Sequence, residues 1–191
     1  MNSDKPFVLD FDLLSGLCKS ERVKPKYRYA SDMRDQFLDK NAADMAIKAG
    51  NPLLYEFYGL DLPERDNVLQ FGTTKIYPGK IGSEYYMTKG HFHTLLDTSE
   101  IYYCLRGHGI MMMETPEGDV DYREMLPGDA IYVPGRWAHR SINTGATPFV
   151  MFFVYRADAG HDYGTIEEKG FRRLVVEKNG KPVVTQNPKW L

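Results

Sequence analysis

The stretch "EYYMTKGHFH" (84–93) and the two runs that follow it, "EIYYCLRG" (100–107) and "GIMMMET" (109–115), decide the fold class. Each run is short and rich in apolar and aromatic residues, and turn residues separate them, as in "PEGD" (116–119). Many short strands at close spacing indicate a β-barrel or sandwich rather than a parallel α/β sheet. The sequence therefore predicts a mainly β fold.

Similar runs extend the pattern on both sides of this stretch. They are "LLYEFYGL" (53–60), "VLQFGTTKIY" (68–77), "VDYREM" (120–125), "AIYVPG" (130–135), "AHRSIN" (138–143) and "PFVMFFVYR" (148–156). Near the end, Asn179 and Gly180 predict a tight hairpin between two further strands.

One helix is predicted near the N-terminus, over "SDMRDQFLDKNAADMAIKAG" (31–50). Ser31 would cap it, Gly50 would end it, and Met33, Phe37 and Met45 would share its apolar face. At 191 residues we expect one domain over 1–191, with a helical extension over 1–50 and the barrel core and C-terminal strands over 51–191.

Composition excludes several classes of partner. The formal net charge is −2 and lysine and arginine are scattered, so nucleic acid is not expected as a partner. No apolar run is long enough to cross a bilayer, and the first residues lack the layout of a signal peptide. Cys18 and Cys104 have no metal-binding spacing, so we expect a cytoplasmic protein with free thiols and no membrane partner.

Three histidines and one glutamate suggest a metal site. His91 and His93 are two residues apart, so on a strand they point to the same face. Glu100 opens the next run after "TLLDTS", and His139 lies on a later run. An isolated His-x-His pair is common on protein surfaces, but these four residues together suit a borderline divalent ion such as Fe²⁺, Ni²⁺, Mn²⁺ or Zn²⁺. An octahedral ion would keep about two positions open for neighbouring substrate oxygens.

These motifs resemble those of the cupins, small barrels of the double-stranded β-helix or jelly-roll type that hold a metal ion inside. The matching pieces are "GHFH" with Glu100, and "PGD…YVP…WAHRSIN". Three departures are present: six residues separate His93 from Glu100, Tyr85 stands where a glycine is usual, and Gly135 is shifted by one position in the second motif.

The longer loop before Glu100, "TPEGD", "YVPGRWAHR" and above all "RADAGHDYGTIEEKGF" (156–171) resemble cupin-type glucose-6-phosphate isomerases. The resemblance implies reversible conversion of glucose 6-phosphate to fructose 6-phosphate, with one divalent ion per subunit (Fe²⁺ first) and a homodimer. It implies metal ligands at His91, His93, Glu100 and His139. The implied catalytic residues are Glu100, Tyr102 and His161. The implied phosphate contacts are Tyr55, Thr74, Thr88, Gly90 and Tyr155, and His161 and Tyr163 would line the sugar site.

The mechanism and two other functions stay open at this stage. Hydrogen could move between C1 and C2 by proton transfer through a cis-enediol or by direct hydride transfer. A cupin dioxygenase would use the same three-histidine, one-glutamate iron site to activate oxygen. A non-catalytic sugar-binding cupin would bind without turnover. "AGHDYG" (159–164) and the hydroxyl-bearing strand residues favour the isomerase.

Overall fold

The computed structural model describes residues 5–18 and 20–191, and its strands form three antiparallel sheets. The strands are β1 Val23–Tyr29, β2 Leu53–Leu60, β3 Leu69–Ile76, β4 Lys80–Ile81, β5 Glu84–Tyr85, β6 Glu100–Arg106, β7 Gly109–Glu114, β8 Val120–Met125, β9 Ala130–Val133, β10 Ala138–Asn143, β11 Phe149–Arg156, β12 Arg173–Lys178 and β13 Lys181–Gln186. The sheet orders are β1-β2-β3-β11-β6-β9, β10-β7-β8 and β13-β12-β5-β4. The mainly β fold is confirmed.

Most predicted strands form close to their predicted bounds, and in β6 a buried and a more exposed face alternate, whereas β7 and β10 are buried at every residue. In β6 the residues Glu100, Tyr102 and Cys104 are buried, and Ile101 and Tyr103 between them are exposed. The predicted hairpin at Asn179–Gly180 joins β12 to β13 in continuous register.

The strand predicted over 84–93 is wrong in its extent. Only Glu84 and Tyr85 belong to a strand, and single bridges follow, among them Met87 to Ile142 and His91 to His139. Gly90 has φ +74°, which interrupts an extended strand. The segment therefore runs beside β10 without a full ladder.

The single helix predicted over 31–50 is also wrong. Helix α1 spans Ala30–Met33, a 3₁₀ turn covers Arg34–Gln36, and helix α2 spans Lys40–Lys48. Phe37 is extended and fully buried, so its packing separates the two helices. The cap of α2 is Asp39, which accepts a hydrogen bond from the Ala42 amide at 2.9 Å, and the expected core residue Met45 is 65% exposed.

Strand β1 was not predicted, and it forms one edge of the largest sheet. It pairs with β2 from Val23 opposite Leu60 to Tyr29 opposite Leu53. The first fifty residues thus contribute a strand as well as helices. A third helix, α3 over Gly164–Lys169, follows "AGHDYG". In the described part of the chain, helices long and apolar enough to span a bilayer are absent.

The strand order of the largest sheet determines which residues come together in its interior. β11 lies between β3 and β6, with Met151 opposite Thr74 and Tyr155 opposite Glu100. Residues of β3 and β6 therefore face the same interior, at two different positions along β11. Phe149, Met151 and Phe153 of β11 are buried in the core.

Candidate functional site

The four predicted metal ligands converge. One ligand atom from each of His91, His93, Glu100 and His139 lies within 4.8 Å of the others. Glu100 Oε2 is 3.1 Å from His93 Nε2 and 2.9 Å from His139 Nε2. Three imidazole nitrogens and a carboxylate oxygen at this separation can surround one divalent ion.

The six residues between His93 and Glu100, which we term the ligand loop (94–99), fold back to bring these two ligands together. The Leu95 amide donates to the Ala159 carbonyl at 2.9 Å, and the Thr98 amide donates to the Leu95 carbonyl at 3.0 Å. The longer spacing noted in the sequence is therefore accommodated by a turn anchored to the segment before His161.

The protonated nitrogens of two histidines are fixed by hydrogen bonds away from the cluster. His93 Nδ1 lies 2.8 Å from Thr98 Oγ1 and 3.0 Å from the Thr98 carbonyl, and His139 Nδ1 lies 3.3 Å from the Trp137 carbonyl. A donor at Nδ1 leaves the Nε2 lone pair directed to the cluster, which is the usual support for a metal-binding histidine. Buried His91 Nε2 has no hydrogen-bond partner among the described residues, and buried His139 Nε2 has only the Glu100 carboxylate beside it, at 2.9 Å. Two imidazole nitrogens directed at one carboxylate oxygen fit a bound cation.

Electrostatics in the cluster agree with metal binding. Burial, with nearby imidazoles adding to it, lowers the pKa of His91 well below its usual value. Burial alone would raise the pKa of Glu100, but His139, His93 and His91 outweigh it and lower that pKa. The Glu100 contacts likewise outweigh burial at His93 and raise its pKa. A divalent ion would take the place of the proton that His93 and Glu100 share.

A cavity of about 300 Å³ opens beside the ligands and is lined by every predicted substrate contact. Those contacts are Tyr55, Thr74, Thr88, Gly90, Tyr155, His161 and Tyr163, and the predicted catalytic residue Tyr102 lines the cavity as well. His91 and His139 also line the cavity, so an ion there would face its interior. Phe57 and Phe153, stacked at 4.8 Å, supply an apolar wall.

The predicted phosphate contacts do not all lie together. Thr74 is opposite Met151 on β11, whereas Tyr155 is opposite Glu100 and its ring lies 6.0 Å from that of His93. Tyr155 therefore lies beside the candidate metal ligands, four residues along β11 from the residue opposite Thr74. The Thr88 hydroxyl accepts from the Ser141 amide at 3.1 Å, which leaves its own proton free to donate.

Rings from three segments surround the open side of the metal ligands. The His161 ring lies 4.3 Å from that of His91 and 5.7 Å from that of Tyr155, and it stacks with Tyr163 at 6.1 Å. Burial lowers the pKa of His161 to about 4, with the nearby His93 and His139 adding to the effect, although part of the residue is exposed. The Tyr102 ring is 5.6 Å from that of His139, and burial, followed by the Glu100 carboxylate, raises the pKa of its hydroxyl well above the usual value.

Sequence reasoning missed a row of cations on β1. Lys24, Lys26 and Arg28 alternate along the strand and all line the cavity. Lys24 is paired with Asp61 at 2.5 Å, whereas Arg28 lies close enough for its charge to act on the hydroxyls of Tyr55 and Tyr163. The period-two spacing in "KPKYR" (24–28) was the available signal.

The shifted glycine of the second motif has a structural explanation. Arg136, at the position where the common motif has glycine, adopts φ +72°. Gly135 is needed for another reason: a Cβ there would lie 2.6 Å from backbone atoms of Asp97 in the ligand loop. The Arg136 amide also donates to the Leu96 carbonyl at 2.5 Å. This turn thus supports the ligand loop.

Comparison with known proteins agrees with the motifs. Residues 27–190 match the family described as glucose-6-phosphate isomerase (GPI). The chain is 48% identical to the glucose-6-phosphate isomerase of Thermococcus litoralis, over 100% of this chain and 99% of that protein. It is 45% identical to that of Pyrococcus furiosus (97% of each chain) and 35% identical to that of Sinorhizobium medicae (93% of this chain, 83% of that one).

A solved structure of oxalate decarboxylase is also similar in part, with 21% identity and a TM-score of 0.44 over 57% of this chain and 27% of that one. The family match includes all four candidate ligands and most residues that line the cavity, and the sequence relatives cover almost the whole chain. The chain belongs to the glucose-6-phosphate isomerase family.

Proposed function

We propose that this chain is a metal-dependent enzyme that interconverts glucose 6-phosphate and fructose 6-phosphate, holding one divalent ion on His91, His93, Glu100 and His139. The observation that carries the proposal is the convergence of these four side chains beside a cavity that is also lined by hydroxyl-bearing residues and by Gly90. Fe²⁺ is the proposed ion, and the ligand set also suits Ni²⁺, Mn²⁺ and Zn²⁺.

The cavity suits a six-carbon sugar phosphate bound lengthwise. Its two ends are marked on β11 by Met151, opposite Thr74, and by Tyr155, opposite Glu100. Four residues of strand span roughly 13 Å. C1 and C2 of the sugar would lie at the metal end, and the phosphate would lie among Tyr55, Thr74, Thr88 and Gly90.

The positive charge that a phosphate needs would come from β1. The hydroxyls and amide at the phosphate end carry no net charge. Of the cations lining the cavity, Lys24 is paired with Asp61 and Lys89 with Glu167. Lys26 and Arg28 line the same cavity and make no ion pair with any described residue. We propose that these two balance the phosphate charge.

The reaction moves hydrogen between C1 and C2 while the two oxygens exchange roles. His91, His93, Glu100 and His139 would hold a divalent ion, which would supply polarisation of the carbonyl when bound. His161, close to His91 and Tyr155, is placed to carry a proton between O1 and O2. Tyr102, close to His139 on the other side, is placed to orient a sugar oxygen with its hydroxyl. Tyr155 and Tyr163 pack around the reacting carbons and exclude water.

Glu100 would act first as a ligand. It is also the charged group nearest to C1 and C2, and thus the base if a proton leaves carbon. Turnover of fructose 6-phosphate in deuterated water distinguishes the two routes, because label at C2 of the product supports proton transfer and its complete absence favours hydride transfer.

The proposal is tested with chelator-treated protein reloaded with each of the four ions. Fructose 6-phosphate should be converted to glucose 6-phosphate, detected with a coupled dehydrogenase, only after reloading. Oxygen uptake with diketone or thiol substrates should stay at background. An oxygenase reaction without isomerisation, or sugar phosphate binding with no turnover under any ion, would replace the proposal.

We also propose that the enzyme serves glycolysis and gluconeogenesis in the cytoplasm as a homodimer. Support for association comes from the outer face of the largest sheet, where Ile101 and Tyr132 are cross-strand partners that are 47% and 61% exposed. Light scattering should give twice the 21.9 kDa chain mass, and Ile101→Glu should reduce it.

A further inference from the structure

We propose that Arg140 is a positioning residue that fixes the Lys89–Gly90 peptide so that its N–H group points at the substrate phosphate. This proposal rests on the function proposed above. Arg140 does not line the cavity, and it would act through the peptide that does.

Arg140 is a buried side chain whose guanidinium is directed at one backbone carbonyl. It is 2% exposed, and its Nε donates to the Lys89 carbonyl at 3.1 Å while Nη2 donates to the same oxygen. Nη2 also donates to Gln36 Oε1 at 2.8 Å, and the guanidinium lies 4.7 Å above the centre of the Phe171 ring. Two donors on one oxygen hold the carbonyl direction closely.

The direction of the carbonyl determines that of the next amide. A trans peptide is planar, so the Lys89 carbonyl and the Gly90 N–H point in opposite directions. With the carbonyl directed at buried Arg140, the N–H is directed away from it, and Gly90 lines the cavity on that side. Among the residues that the structure describes, none accepts a hydrogen bond from this amide. A buried amide without a protein partner beside a cavity is suited to an anionic ligand.

Gly90 is locked into this orientation by the same neighbours. Its φ is +74°, and a Cβ would lie 2.5 Å from the Phe171 ring and 3.0 Å from Arg140 Cβ. Phe171 thus packs against both Gly90 and the guanidinium. The cationic guanidinium also polarises the peptide, which makes its N–H a stronger donor.

The Gly90 amide can be observed directly. Lysine–glycine pairs occur at 89–90 and 169–170, so labelling with ¹³C-carbonyl lysine and ¹⁵N-glycine restricts a carbonyl-edited spectrum to two amide signals. Gly170 is the internal control, because its amide already donates to the Ile166 carbonyl at 3.0 Å. The probe is inorganic phosphate added to zinc-loaded protein, and then to chelator-treated protein so that phosphate on the metal is not the cause.

In the unaltered protein, phosphate should shift the Gly90 proton downfield in both forms and leave Gly170 unchanged. Arg140→Lys keeps the charge but loses the planar fork. It should weaken phosphate binding by about ten-fold and raise KM for fructose 6-phosphate by a similar factor, with kcat and metal content changed much less. A Gly90 amide signal that does not shift when phosphate is added overturns the proposal.

Arg172→Lys is the matched control. Arg172 lies 3.9 Å above the Trp190 ring and contacts Glu114 at 3.3 Å, so the same exchange occurs at a stacked arginine that does not contact Lys89. It should leave the phosphate affinity unchanged. Arg140→Lys could instead lower the melting temperature or the metal content and leave the phosphate affinity unchanged. That result would mean that Arg140 has a purely structural role, and it would overturn the proposal.

If Arg140→Lys is not obtained folded, Gln36→Leu tests the same point, since it removes the second partner of Nη2. Phosphate binding should weaken about two- to three-fold, and unchanged binding overturns the proposal. The titration needs no turnover. An inactive protein whose Gly90 signal responds would contradict the isomerase function alone.

Discussion

Thr98→Val removes one hydrogen bond behind a metal ligand while keeping the side-chain shape. Thr98 Oγ1 donates to the Leu95 carbonyl at 2.7 Å, so it accepts from His93 Nδ1 at 2.8 Å. Loss of such a partner typically costs 10- to 100-fold in metal affinity. The Thr98 carbonyl, 3.0 Å from the same nitrogen, remains as an acceptor. We therefore expect the lower end, about ten-fold or 1.4 kcal/mol.

The assay is competition for Zn²⁺ or Fe²⁺ between the protein and a chromophoric chelator of known affinity, and it needs no substrate. Ser99→Ala is the control, because Ser99 lies in the same loop but pairs with the Tyr132 hydroxyl at 2.7 Å. Ser99→Ala should bind metal as the unaltered protein does. Equal affinities for Thr98→Val and Ser99→Ala would refute the view that Thr98 orients His93.

Three further predictions concern the two ends of the cavity and the turn that supports the ligand loop. Tyr55→Phe should raise KM for fructose 6-phosphate by about three- to ten-fold and change kcat less, since one hydroxyl contact contributes about 0.5–1.5 kcal/mol. A loss confined to kcat would contradict a contact between Tyr55 and the phosphate. Arg28→Met should raise KM for fructose 6-phosphate and weaken the dependence of KM on ionic strength. Lys24→Met removes a cation that is already paired with Asp61, so it should change both quantities less. Equal effects of the two variants would contradict a role for Arg28 in balancing the phosphate charge. Gly135→Ala should lower stability by about 1–3 kcal/mol, seen as a lower melting temperature, and weaken metal binding, because its Cβ would lie 2.6 Å from the ligand loop backbone. Arg136→Gly, at φ +72°, should not lower the melting temperature, and similar losses in both variants would contradict this account of the turn.

The four candidate metal ligands could be identified in the sequence because their chemistry is local. His91 and His93 are close in the chain, and imidazole and carboxylate side chains at motif spacing leave few other interpretations. Strands such as β6 were predictable because short runs rich in apolar and aromatic residues are bounded by turn residues.

The remaining features depend on contacts between distant segments. Strand β1 contains a proline and several charges, which a sequence alone does not distinguish from a loop, and an edge strand tolerates both. The helix predicted over 31–50 is divided because Phe37 is buried by other parts of the chain. The position of Tyr155 follows from its pairing with Glu100, and strand register is not visible in either segment alone.

The account's central claim is that one ion on His91, His93, Glu100 and His139 makes this cavity an isomerase site. The most direct measurement is anaerobic titration of chelator-treated protein with Fe²⁺ while conversion of fructose 6-phosphate is followed. The account predicts no activity at the start, a linear rise, and a plateau at one ion per chain, with His93→Ala inactive throughout. Full activity in the metal-free protein, or in His93→Ala, would contradict it.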